Sequence, residues 1–262
     1  MKRSIIHRML LCLVIELCST ASLSAQNVSS ILVDGESLDY TLRFNWKFIW
    51  INAGTASLQT HKTTYLGKPA YQTSLIANTT KMADKIFLMR DTLETTVSTK
   101  LEPLFFQKRC IEGKDIVNEQ VSFSMSNGQF RAQIKKTYTD GTVREVDESR
   151  ESTIYDMVSL LQYVRSLDTK NLTKDSELTF YMAGGRRVDK LPLRYLGYED
   201  IESENGLKYH CQVFSLVKTT TGKKGKKTEE EVIRFFTTDD SRHLPIRIDL
   251  FLKFGVAKAI LN

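Results

Sequence analysis

The stretch Leu38-Asp39-Tyr40-Thr41-Leu42-Arg43-Phe44-Asn45-Trp46-Lys47-Phe48-Ile49-Trp50 decides the fold class of this 262-residue chain. Every even position in it is apolar, and most odd positions are polar. A period of two puts alternate side chains on opposite faces of an extended backbone, so the stretch predicts one long strand with a strongly aromatic face. The same alternation closes the chain, where Leu244, Ile246, Ile248, Leu250, Leu252 and Phe254 stand between Arg247, Asp249 and Lys253.

Between these two stretches, strand-like runs are divided by turn signals. Gly67-Lys68-Pro69 follows one run, and Ser126-Asn127-Gly128 carries the Asn-Gly pair that is the strongest short hairpin signal. Ala183-Gly184-Gly185 and the basic turn from Gly222 to Lys227 follow later. One segment breaks the rule. Ile154, Met157, Val158, Leu160, Leu161, Val164 and Leu167 recur at helical spacing, which predicts an amphipathic helix near residues 153–167. Thr153 with Asp156 resembles a capping box at its start. The fold class is therefore mainly β: a strongly curved antiparallel sheet or incomplete β-barrel of roughly 10–12 strands. The single helix packs on it or inside it, its apolar stripe against the aromatic strands.

The N-terminus has the three parts of a cleavable secretory signal. Lys2, Arg3 and Arg8 precede the apolar run Met9 to Ile15, and small residues lead to a cleavage point after Ala25. The expected organisation is a signal peptide, 1–25, and a single exported β-rich domain, 26–262. Leu17 and Glu16 spoil a lipobox at Cys18, and the apolar run falls far short of the roughly 20 residues that span a bilayer. No later segment has transmembrane length without charges. The periplasm is the expected compartment, with the cell surface as the alternative.

Hydrophobic content of 41% with 26% charged residues is that of a globular domain, so disorder is not expected. The formal charge of +6 includes Lys2, Arg3, Arg8 and Glu16, and falls to +4 once the signal is removed. So small a surplus gives no argument for nucleic acid. Cys110 and Cys211 remain after cleavage, and read either as one disulfide or as two buried thiols.

Gly35-Glu36 with Tyr40, then Ala53-Gly54-Thr55-Ala56, the helix from Asp156 to Arg165, and the run Asp240-Ser241-Arg242-His243-Leu244-Pro245-Ile246-Arg247 occur in this order. Together they resemble the exported bacterial proteins of the domain-of-unknown-function 3108 family, over nearly the whole mature chain. The resemblance implies export and a single β-rich domain, and no reaction. In outline, the architecture also looks like the periplasmic lipoprotein-carrier folds, an analogy that carries no function.

The candidate binding surface is the aromatic face Phe44, Trp46, Phe48 and Trp50, with Met157 and Leu161 of the helix opposite. Such a surface could line a cavity for an apolar ligand, and the same rings serve equally as core packing. Asp240, Arg242 and His243, next to Asp239, form a weak polar cluster. Asp-Asp-Ser is ordinary turn chemistry, and no nucleophile or oxyanion device accompanies the histidine. The run Lys223 to Lys227 reads as a solvated hairpin tip, since Glu229, Glu230 and Glu231 follow it. His61, His210 and His243 lack zinc spacing, so no metal and no cofactor is expected. Gly184-Gly185-Arg186-Arg187 is neither a P-loop nor a dinucleotide fingerprint and reads as a turn.

These features predict a non-enzymatic periplasmic or cell-envelope protein that binds an apolar or amphiphilic ligand in a β-lined cavity. The alternative is a structural or interaction module with a solid core and an envelope-protein partner. A third reading is an enzyme with a dispersed site.

Overall fold

A computed structural model describes residues 28–46, 49–221, 227–252 and 255–262. A helical turn, α1 (Val28–Ile31), leads into β1 (Glu36–Trp46), β2 (Ile49–Tyr65), β3 (Lys68–Thr79), β4 (Met89–Ser98), β5 (Pro103–Glu112), β6 (Asp115–Ser126), β7 (Gln129–Thr137) and β8 (Val143–Arg150). A two-residue strand, β9 (Ile154–Tyr155), then leads into the helix α2 (Met157–Arg165). The chain returns through β10 (Glu177–Gly184), β11 (Arg187–Glu202), β12 (Lys208–Thr221), β13 (Lys227–Thr238), β14 (Pro245–Leu252) and β15 (Gly255–Leu261).

All fifteen described strands belong to one sheet, in the order β8 down to β1, then β15 down to β9. The first and last long strands thus pair at its centre, with Tyr40 opposite Leu261. The sheet coils until its two ends meet, giving a nearly closed barrel. No backbone ladder joins those ends among the described residues. Arg150 of β8 instead donates to the Val188 carbonyl of β11 at 2.9 Å, and the Gly185 N–H donates to Glu119 of β6 at 3.0 Å. The strand count exceeds the expected 10–12 partly because β8 has no apolar face to announce it: Val143-Arg144-Glu145-Val146-Asp147-Glu148-Ser149-Arg150 lies mostly exposed at the sheet's edge.

The stretch Leu38–Trp50 is not one strand. β1 ends at Trp46 and β2 begins at Ile49, which lies opposite it. The reversal between Trp46 and Ile49 shifts side-chain parity by one, and a bulge beside Leu42 and Arg43 shifts it back. Even positions therefore face inward again at Ala56, Leu58 and Thr60, and period alone conceals the reversal. Within the bulged region Trp50 lies opposite Asn45 and is 43% exposed. Gly54 sits at this irregularity, where an added Cβ would lie 2.1 Å from the Asn78 carbonyl oxygen. The closing alternation likewise ends as a strand at Leu252, and Phe254 lies outside the described residues.

The helix begins later than its apolar stripe suggested. Its N-cap is Asp156, with Ser159 completing a capping box, while Ile154 and Tyr155 pair with β10. It runs inside the barrel: Val158, Leu160, Leu161 and Val164 are buried in the core, and Tyr163 packs against Tyr155 and Phe180 with ring centroids 5.1 and 5.3 Å apart. Cys110 and Cys211 are buried free thiols. The signal peptide and the basic turn at 223–226 lie outside the described residues.

Candidate functional site

Two rows of inward-facing side chains cross the same eight strands. The first runs Glu36, Thr60, Thr73, Thr95, Phe106, Val121, Ile134, Val146 from β1 to β8. The second, two residues further along each strand, runs Leu38, Leu58, Leu75, Leu93, Lys108, Glu119, Lys136, Arg144. The rows are complementary: where one is polar, the other is apolar.

The polar half of the first row receives the helix. Asp156, Ser159, Gln162 and Arg165 recur every third residue, a rise of about 4.5 Å that nearly matches the roughly 4.8 Å between strands. The helix can therefore cross β4 to β1 and meet a polar group on each. Thr95 donates to Asp156 at 2.8 Å, and Gln162 donates to Thr73 at 3.1 Å. Arg165 grips both oxygens of Glu36 at 2.8 and 3.0 Å, with both side chains essentially unexposed. Its other donors reach Gln162 and the carbonyls of Arg242 and His243, so all five N–H groups are used.

Asp240, Arg242 and His243 belong to this anchor. The Asp240 carboxylate accepts the Thr238 hydroxyl and the backbone N–H groups of Arg242 and His243, which fixes the turn. Arg242 adds a second cation to Glu36 at 2.9 Å. The imidazole of His243 is buried and meets the carbonyl of Arg165 at 2.5 Å, so its Nδ1–H caps an otherwise orphan carbonyl at the helix end. Burial holds the His243 pKa below the ordinary histidine value. Tyr40 donates to the Pro245 carbonyl at 2.9 Å beside them. The short motifs that suggested a family thus largely converge on the fastening of one internal helix.

The charged half of the second row is different. Lys108, Lys136 and Arg144 border a cleft of about 660 Å³ in the barrel mouth, together with Arg186, Arg187 and Lys218. Leu93, Phe106, Met157 and Met182 supply most of its apolar lining, and among the described residues Glu119 and Asp189 are its only acids. Glu119 is nearly buried. It accepts the Gly185 N–H and pairs with Lys136 at 3.5 Å, holding the β10–β11 turn over the cleft. Gly185 itself has φ of +51°, a backbone setting that suits glycine. Arg187 pairs with Asp189 at 2.5 Å. Lys108, Arg144, Arg186 and Lys218 form no ion pair among the described residues.

The candidate binding residues read from the sequence are dispersed. Met157 lines the cleft from the first turn of α2, whereas Leu161 is buried beneath it. Phe44 is half-buried opposite Ala257, and Lys258 lies over the Trp50 ring at 4.6 Å. Trp46 ends β1, and Phe48 lies outside the described residues. Sequence reasoning passed over the cleft cations, although Phe106-x-Lys108-x-Cys110 and Ala132-x-Ile134-x-Lys136 place charge on an inward parity. Beyond the cleft, ligand atoms of Asp91, Cys110 and Glu112 lie within 4.8 Å of one another. Burial pushes the Cys110 thiol up to about 12, which keeps it protonated when no metal ion is bound.

A model of the family described as "Protein of unknown function (DUF3108)" matches residues 39–262. No curated protein matches the chain. Among solved structures, the crystal structure of a β-barrel-like protein of domain of unknown function DUF1849 from Brucella abortus is similar, with a TM-score of 0.57 at 8% identity. The match covers 88% of this chain and 97% of that one, and at such low identity it speaks to the fold alone.

Proposed function

The chain belongs to the DUF3108 family of proteins of unknown function, and we propose that this member is a non-enzymatic cell-envelope protein that binds an amphiphilic ligand in the barrel mouth. One observation carries the reading: the cleft sets a charged wall, Lys108 to Arg144, against the apolar side chains of Leu93, Phe106, Met157 and Met182. A ligand with one polar and one apolar end fits both surfaces, in the manner of pockets with a few polar groups on apolar walls. The N-terminal signal pattern supports export to the periplasm. The filled interior around α2 confines the ligand to the cleft.

Native mass spectrometry of protein purified from its own host tests this. The expected result is an adduct that organic solvent extracts and that Met157→Glu abolishes. A clean unliganded mass, with no binding of added lysolipids, overturns it. The interaction-module reading has one observation in its favour, the exposed and unpaired edge of β8. Crosslinking in intact cells that captures a reproducible protein partner through β8 would favour that reading.

A further inference from the structure

We infer that the polar end of the ligand is an anionic, phosphate-bearing headgroup, held chiefly by Lys108 and Lys218; this rests on the amphiphile reading above. Among the described residues, six cations and two carboxylates border the cleft, and the two carboxylates are already engaged by Lys136 and Arg187. What is left is a set of four cations with no ion-pair partner among the described residues.

Their placement points to the class of anion. Lys108 enters from β5 and Lys218 from β12, while Arg144 and Arg186 stand at the rim on β8 and the β10–β11 turn. Lys108 and Lys218 are half-buried, whereas Arg144 and Arg186 are exposed. A half-buried ammonium gives up part of its hydration, and although Glu119 lies opposite Lys108 and Glu230 opposite Lys218 across the sheet, neither closes an ion pair with it, so the protein does not restore the whole loss. An anion delivered to that point does. Cations converging from separate walls surround a tetrahedral group with several acceptor oxygens better than a planar carboxylate, which one arginine fork satisfies alone. Phe106 and Met157, beside Lys108, then receive the first methylenes of the attached chain. Glu119 serves the headgroup indirectly: it neutralises Lys136 and ties down the turn that carries Arg186.

The test is isothermal titration of the purified protein with three probes: a lysophosphatidylglycerol, a lysophosphatidylcholine of the same acyl length, and glycerol phosphate without a tail. The expected order is lysophosphatidylglycerol tightest, by about tenfold or more over the zwitterionic lipid, with glycerol phosphate weaker than both. Lys108→Gln with Lys218→Gln should remove that preference, weakening lysophosphatidylglycerol by about tenfold and lysophosphatidylcholine by less, while leaving the melting temperature in place. Equal binding of the two lipids overturns the headgroup inference and leaves the amphiphile reading standing. Glycerol phosphate binding as tightly as the lysophosphatidylglycerol overturns the amphiphile reading, because the tail then contributes nothing. No binding of any probe overturns both.

Discussion

The two inner rows cross the same strands two residues apart, yet they treat polarity in opposite ways. In the first row, Glu36, Thr60, Thr73 and Thr95 are all buried, and each meets a hydrogen-bonding group of α2 or of a neighbouring strand. In the second row, Lys108, Glu119, Lys136 and Arg144 line open space, and half of them form no ion pair among the described residues. Burial with complete pairing is the signature of a fastening, since an unpaired buried charge would cost more than folding can supply. Partial burial without pairing is the signature of a surface that receives something. The contrast separates the polar residues that fasten this barrel from those that line its cleft without reference to residue type, because both rows contain a buried glutamate.

The sharpest way to break this comparison is to cut the fastening. Arg165→Met leaves Glu36 buried with only the half-exposed Arg242 as partner, and should destabilise the protein by about 3–5 kcal/mol in urea unfolding. Arg131→Met, which cuts the exposed Arg131–Asp147 pair, should cost no more than about 1 kcal/mol. Similar losses for the two variants would remove the distinction. Asp156→Ala deletes the cap that Val158 and Ser159 donate to, at a cost of about 1–2 kcal/mol. Burial pushes the Asp156 carboxyl above its ordinary range, against four donors that favour its ionised form. Its folded pKa thus exceeds its unfolded one, so its contribution is full below about pH 4 and is lost as pH rises through the folded value. The amide of Asp156→Asn cannot titrate. Urea midpoints of the two proteins should therefore shift steadily in favour of the asparagine variant as pH is raised, and a constant difference would refute the assignment.

The extended strands were legible in the sequence because each buries one face, so hydrophobicity alternates. β8 was not, because neither of its faces is continuously buried. The change of strand between Trp46 and Ile49 was hidden by a parity shift that the neighbouring bulge cancels. The helix was legible from its apolar stripe, but that stripe only says that the helix is buried. Its polar residues, spaced three apart, say which way it lies across the sheet, and their meaning depends on partners over 60 positions away. The cleft was illegible for the same reason. Lys108, Lys136 and Lys218 become one site only when β5, β7 and β12 are brought round the barrel, and no local spacing encodes that.

A smaller effect is expected at His243, where the histidine closes the helix end. Burial lowers its folded pKa, so its contribution is present above about pH 6.5 and is lost as pH falls through the folded value. Its φ of +42° is one that asparagine tolerates, and an asparagine side chain has an N–H of its own to offer the Arg165 carbonyl. His243→Asn should cost about 0.5–1.5 kcal/mol at neutral pH, and less as the solution is acidified toward pH 5. Chemical denaturation across that range checks it.

The least change in stability belongs to the cleft itself. Lys108→Gln and Lys218→Gln remove charges that no partner in the fold requires, so unfolding free energy should stay within about 0.5 kcal/mol of the parent. Loss of half-buried, unpaired charge could even stabilise the protein slightly. Glu119→Gln marks the boundary between the two regimes. It keeps an acceptor for the Gly185 N–H but loses the charge that offsets Lys136, so it should act more on the cleft than on the fold. If Lys108→Gln instead destabilised the barrel as Arg165→Met does, Lys108 would be a fastening after all, and the second row would have to be read like the first.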